Sequence, residues 1–186
     1  METPIVSRRT VWSAAGLLAV AFLAFMAFSG QLRESKQFVK FVPAGVLTEV
    51  PADIDRVEIA TGAARWAFVR RSGSGWQSVA DGRPVAASLA GHLDDSLKFM
   101  HASAPIRVME RAEWLPLGLR EFGLDPPGYR ATLYRGDTAV LEAEFGAPNP
   151  QKVLQYMKLG GRDQLYLMSR SVGQQWEETL REVSRR

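Results

Sequence analysis

Histidines, paired carboxylates and glycine-rich loops are the residues from which chemistry would be built in this chain, and each is sparse. His92 and His101 are the only histidines, and cysteine is absent. Nine residues along one helix amount to about 900° of rotation, so the two imidazoles face opposite ways and share no metal. His92 with Asp95 three residues on could be a fragment of a ligand set, but a solvated helix face is the favoured reading. Without cysteine, disulfides, iron–sulfur clusters and thiolate zinc sites are excluded. No metal and no cofactor is expected.

The acids follow the same pattern. Asp94 and Asp95 are helix neighbours pointing about 100° apart, whereas a catalytic pair must converge on one bond. Glu142 and Glu144 share one face of a strand, as a charged solvent face would. Asp125 stands before two prolines, where a turn role suffices. The loop Ser72-Gly-Ser-Gly75 lacks the lysine and following helix of a phosphate cradle, and reads as a hairpin turn. No nucleophile elbow, Walker loop or dinucleotide fingerprint occurs. The chain is therefore expected not to be an enzyme, with no catalytic or cofactor-binding residue assigned.

The strongest signal is positional. Val11 to Phe28 is a run of eighteen residues without a charge, which as a helix would span roughly 27 Å, close to the hydrocarbon thickness of a bilayer. The reading is a tail over 1–10, a single transmembrane anchor over 11–29, a stalk over 30–50 and one domain over 51–186. A cleaved signal peptide ending at Ala27-Phe28-Ser29 is the alternative. Arg8 and Arg9 before the apolar run favour a cytoplasmic N-terminus, which places the domain in the periplasm of a bacterial inner membrane.

Beyond the anchor, short strands with turn punctuation are expected at 54–60, 64–71 and 75–80, then a helix from about Val85 to Met100. Its apolar stripe is Leu89, Leu93, Leu97 and Met100. A short strand or extended crossover over 106–110 and an irregular segment around Trp114 follow. Leu119 to Leu124 is one helical turn closed by Gly123 in a Schellman-type cap. Four strands come next, within 129–136, 138–146, 152–160 and 163–169, where Val140, Glu142 and Glu144 alternate with Leu141, Ala143 and Phe145. The last helix is opened by a Ser171-x-x-Gln174 capping box and buries Val172, Trp176, Leu180 and Val183. This order indicates an α+β fold with a mainly antiparallel sheet and helices on one face, and suggests a duplicated strands-then-helix unit.

Outside the anchor 21 basic residues face 19 acidic ones, once Arg8, Arg9 and Glu2 are set aside. They are interspersed, which excludes a nucleic-acid surface. Aromatic residues are more informative. Trp114 with Leu115 and Leu117 makes an apolar cluster in an irregular segment, and Phe38, Phe41 and Val42 belong to a stripe at the end of the stalk. Both are candidate protein-contact residues.

Phe122-Gly-Leu-Asp-Pro126, the later Phe145-Gly146 and the strand residues Tyr166 to Met168 resemble the bacterial family called domain of unknown function 4340. Gly75-Trp76 and the helix after Pro84 fit the same pattern, so the likeness extends from about Pro51 to Val183. The resemblance implies an α+β domain behind an N-terminal membrane helix, facing the periplasm and accompanying transporter-like systems, with no activity attached. The expected role is that of a non-enzymatic accessory protein of a membrane complex; the alternative is a periplasmic ligand-binding module.

Overall fold

The computed structural model describes residues 12, 16–26, 43–71, 73 and 75–185. The chain divides into a unit over Met1–Val42 and a unit over Pro43–Arg186. In the first, residues 16–26 are helical. Leu17, Leu18, Val20, Phe22, Leu23 and Phe25 are all exposed there, and at 100° per residue these positions point to every side of the helix. Among the described residues no helix is long and apolar enough to cross a membrane. Trp12 is also described and exposed; the rest of the expected span, and Phe38, Phe41 and Val42, lie outside the described residues.

The second unit holds β1 (Arg56–Thr61), β2 (Ala64–Arg71), β3 (Gly75–Ser78), α1 (Ala87–Ala102), β4 (Arg107–Met109), α2 (Arg111–Trp114), β5 (Tyr129–Arg135), β6 (Thr138–Pro148), β7 (Leu154–Leu159), β8 (Leu165–Ser169) and α3 (Arg170–Val183). The eight strands form one sheet in the order β3-β2-β1-β5-β6-β7-β8-β4, and every pairing is antiparallel. The expected α+β class is met. β1 and β5 are neighbours, and strands run outward from them as 2-3 and 6-7, so these six strands mirror one another about the β1–β5 pair, with β8 and β4 added beyond β7.

Strand alternation decides which side chains reach the helices. Val57 and Ile59 of β1, Phe68 of β2, Ala131 and Leu133 of β5, Ala143 and Phe145 of β6 and Met157 of β7 are buried in one cluster. Leu89, Leu93, Leu97 and Met100 from α1 join them, with Val172, Trp176 and Val183 from α3. The expected stripes of both helices therefore form the core, except that Leu180 is only half-buried and Thr179 is fully buried. Tyr129 stacks on Phe145 with ring centroids 4.5 Å apart.

Three local expectations need correction. The even alternation along β6 is interrupted: Leu133 pairs with Leu141 but Tyr134 pairs with Ala139, a bulge that leaves Val140 as the extra residue. Val140 and Leu141 consequently both pack against the core. The last helix begins at Arg170 with Ser169 as N-cap and without a side-chain cap; the Ser169 and Ser171 hydroxyls bond each other at 3.1 Å instead. A capping box occurs elsewhere, at Glu110 and Glu113 of α2. Finally, Pro43–Val50 is part of the domain rather than stalk. The Gly45 N–H donates to the His101 carbonyl at 3.0 Å and that of Leu47 to Met100 at 3.1 Å, and Leu47 is fully buried.

The segment after β4 folds back over the β7–β8 end of the opposite sheet face. Trp114, Phe122, Leu124 and Leu165 form a second buried cluster there, with Met109, Leu119 and Tyr156 against it. The Gly123 cap is as expected, with φ +66 and the Leu124 N–H donating to Leu119 at 3.0 Å. Both Phe-Gly pairs meet here. A side chain at Gly123 would stand 2.6 Å from the Ala147 nitrogen, and one at Gly146 2.3 Å from the Phe122 carbonyl oxygen. Gly146→Ala is therefore expected to cost about 1–3 kcal/mol by overpacking, read as a lowered urea midpoint. Hydrogen exchange should accelerate first in 111–124, and wild-type melting of this variant would contradict so close an approach.

Candidate functional site

The helices cover one face of the sheet and the 111–124 segment covers the β7–β8 end of the other, which leaves the second face of β2, β1, β5 and β6 open. A groove of about 620 Å³ lies there, with Glu58, Ala60, Arg65, Arg130, Thr132, Tyr134 and Glu142 among its lining. These side chains come from alternate positions on adjacent strands, and the register arranges them in rows across the sheet. One row is Arg65, Ala60, Arg130, Glu144 and Lys158; the next is Ala67, Glu58, Thr132 and Glu142; a third holds Val69, Arg56 and Tyr134 with Ala139. Alanines on three strands make the low floor, and the charged residues make the walls.

Most of the groove's charges are spoken for. Arg130 sits between Glu142, whose carboxylate is 3.1 Å from Nε, and Glu144, which accepts a bond from Nη2. The hydrogen bond to Glu144, above all, raises the Arg130 pKa. Arg56 pairs with Glu58 and lies over the Tyr134 ring, 4.7 Å from its centroid. The Tyr134 hydroxyl donates to Glu58 at 3.4 Å. Arg65 differs: it is exposed and has no carboxylate partner among the described residues.

On the helix side of the sheet a buried polar network surrounds Gln155. Its amide donates to the Gly146 carbonyl at 2.9 Å, and it accepts from Arg170 at 3.0 Å. Arg170 in turn reaches Glu177 at 2.6 Å. The Tyr129 hydroxyl donates to the Gly173 carbonyl at 2.9 Å, and burial pushes its pKa well above the usual phenol range. These contacts tie α3 to the sheet, and their donors and acceptors are engaged with one another.

The structure separates the expected contact residues. Trp114 is 7% exposed, packed in the second cluster, and donates its indole N–H to the Asp163 carbonyl at 2.9 Å. It is a structural residue and not part of an exposed patch, because the half-apolar segment that carries it folds onto β8. Leu115 and Leu117 are exposed at 51% and 62%. His92 does not pair with Asp95; its nitrogens lie 3.7 Å from Glu178 and 3.8 Å from Glu182 of α3, while Asp95 takes Lys98 at 3.0 Å. Asp94 accepts from the Trp76 indole at 3.0 Å and from Arg70, so it fastens the β2–β3 hairpin to α1. His101 bonds the Leu47 carbonyl at 2.9 Å. Among the described residues no three His, Cys, Asp or Glu side chains are placed to hold a metal ion.

The open groove is the feature that strand reading alone underweights. Glu142 and Glu144 are recognisable as one strand face, but the arginine set between them and the unpaired Arg65 two strands away require the sheet order. The chain matches no family model, no curated protein and no solved structure.

A pH dependence follows from α2. The Glu110 N–H, first, and Arg107 hold the exposed Glu113 carboxylate below its ordinary 4.5. A lowered carboxyl pKa adds stability that is complete above the unfolded value and lost as pH falls through the folded one. Amide exchange at 111–114, corrected for its intrinsic pH dependence, is therefore expected to accelerate as pH drops below about 4.5. Glu113→Gln should show faster exchange already at pH 7 and no acid-side step; an acid step persisting in that variant would remove the capping box as its cause.

Proposed function

We propose that the chain is a non-enzymatic, membrane-anchored interaction protein of a bacterial inner-membrane complex, with its α+β unit in the periplasm. The observation that carries this reading is the half-open sheet. One face is sealed by α1 and α3, one end of the other by the 111–124 segment, and the remaining strands present a broad groove of ordered, mutually paired charges. Such pairs fix a surface pattern suited to recognition, and the acids are neutralised by arginines rather than aimed at a common reacting atom.

Support for the anchor comes from the N-terminal helix, whose apolar side chains are exposed all round; a surface of that kind is stable in hydrocarbon and not in water. The likeness of Phe122 to Met168 to the domain of unknown function 4340 family belongs to the same reading, including a place beside a transporter-like system. The mirrored order of β1-β2-β3 and β5-β6-β7 supports a duplicated strands-then-helix unit.

The test is photo-crosslinking from the native membrane, with a benzophenone amino acid at Ala67 or Ala139 on the open face and at Gly91 on α1. Full-length protein should stay in the pellet after alkaline carbonate extraction. A discrete adduct with another membrane protein is expected from the two face positions and not from Gly91. Release by carbonate, or equal adducts from all three sites, would overturn the proposal.

A further inference from the structure

We infer that the groove receives a single Asp or Glu carboxylate carried on an extended segment of the partner protein, seated over Ala60 between Arg65 and Arg130. This deepens the reading of the open face as a contact surface and rests on it.

Ala60 pairs directly with Arg65 on β2 and with Arg130 on β5. Neighbouring strands are about 4.8 Å apart, so the two arginines start roughly 10 Å from each other with a single methyl group between them. That leaves room for a carboxylate reached from both sides, and guanidinium forks are matched to such a planar anion. Arg65 would enter this contact without breaking an existing ion pair. Arg130 would contribute while held in place by Glu142 and Glu144.

The shape favours a chain over a free ion. The groove continues past the notch over Ala67, Ala139 and Val79, a small-residue floor with Val79 exposed. The Thr132 hydroxyl lies along the same floor, able to bond the backbone of an extended segment. The charge pattern restricts the ligand further. Glu58, Glu142 and Glu144 line or border the notch, so a continuous run of phosphates would meet repulsion at each step. A single carboxylate with neutral neighbours meets that repulsion once, and gains Arg65, which has no carboxylate partner among the described residues, beside Arg130, whose charge is shared with Glu142 and Glu144. An Asp or Glu side chain flanked by small residues is the chemistry that fits.

The test uses the full-length protein in nanodiscs and a fluorescein-labelled, C-terminally amidated peptide, Ala-Ala-Glu-Ala-Ala, beside its Ala-Ala-Gln-Ala-Ala analogue, by anisotropy at low salt. The glutamate peptide should bind at least about tenfold more tightly than the glutamine peptide and weaken as salt rises. Arg65→Ala, a change at an exposed and unpaired residue, should remove that preference. Ala60→Leu should do the same by filling the notch, while Arg120→Ala, outside the groove, should retain it. Equal affinity for the two peptides, or an unchanged preference in Arg65→Ala, would overturn the inference. So would competition by sodium acetate at the peptide's own concentration, since a carboxylate alone would then suffice. Crosslinking and peptide binding are independent measurements: a missing membrane partner removes the partner reading and leaves an Arg65-dependent peptide affinity standing, and the converse holds.

Discussion

Burial of one side of a single eight-stranded sheet against the α1–α3 pair is the constraint on which the rest of the domain depends. An antiparallel sheet exposes alternate side chains on two faces, and here one set is mostly apolar, with Arg70 and Gln155 as polar members that bond α1 and α3. Leu93 and Leu97 from α1 and Trp176 from α3 close over Ile59, Leu133 and Phe145 with almost no residual exposure. Area-proportional burial of this kind is the main favourable term in folding. The other contacts act within the frame it sets: Asp94 secures the outer hairpin, and Gln155 with Arg170 secures the start of α3.

The opposite face is divided, and the division is made by glycine. The 111–124 segment can lie on β7 and β8 only because Gly123 and Gly146 let two backbones approach closer than any side chain permits. Its apolar residues, Trp114 among them, then find partners on that face. Where the segment stops, the sheet stays uncovered, and its outward positions are charged. The groove is thus what remains when a covering element is too short for the sheet beneath it, and the ion pairs around Arg130 and Arg56 keep that uncovered surface ordered.

The two units of the chain divide at Pro43. From Gly45 onward the backbone is bonded to the end of α1, and Leu47 is one of the core's fully buried side chains.

Local pattern alone determined the element types. The three- and four-residue spacing of Leu89, Leu93, Leu97 and Met100 can only be one helical stripe, the dyad alternation of Tyr129, Ala131 and Leu133 only a half-buried strand, and Gly123 after Phe122 only a left-handed cap. These are interactions over a few residues, for which the chain carries complete information. Long-range contacts decided the rest. Whether Trp114 is exposed depends on Leu165 and Asp163, some fifty residues on. The β6 bulge depends on its pairing with β5, and Pro43–Val50 joins the domain only through the end of α1. The notch at Ala60 exists because sheet order sets β1 between β2 and β5. Neighbours across a sheet are chosen by topology, and sequence spacing does not encode which arginine will stand beside which alanine.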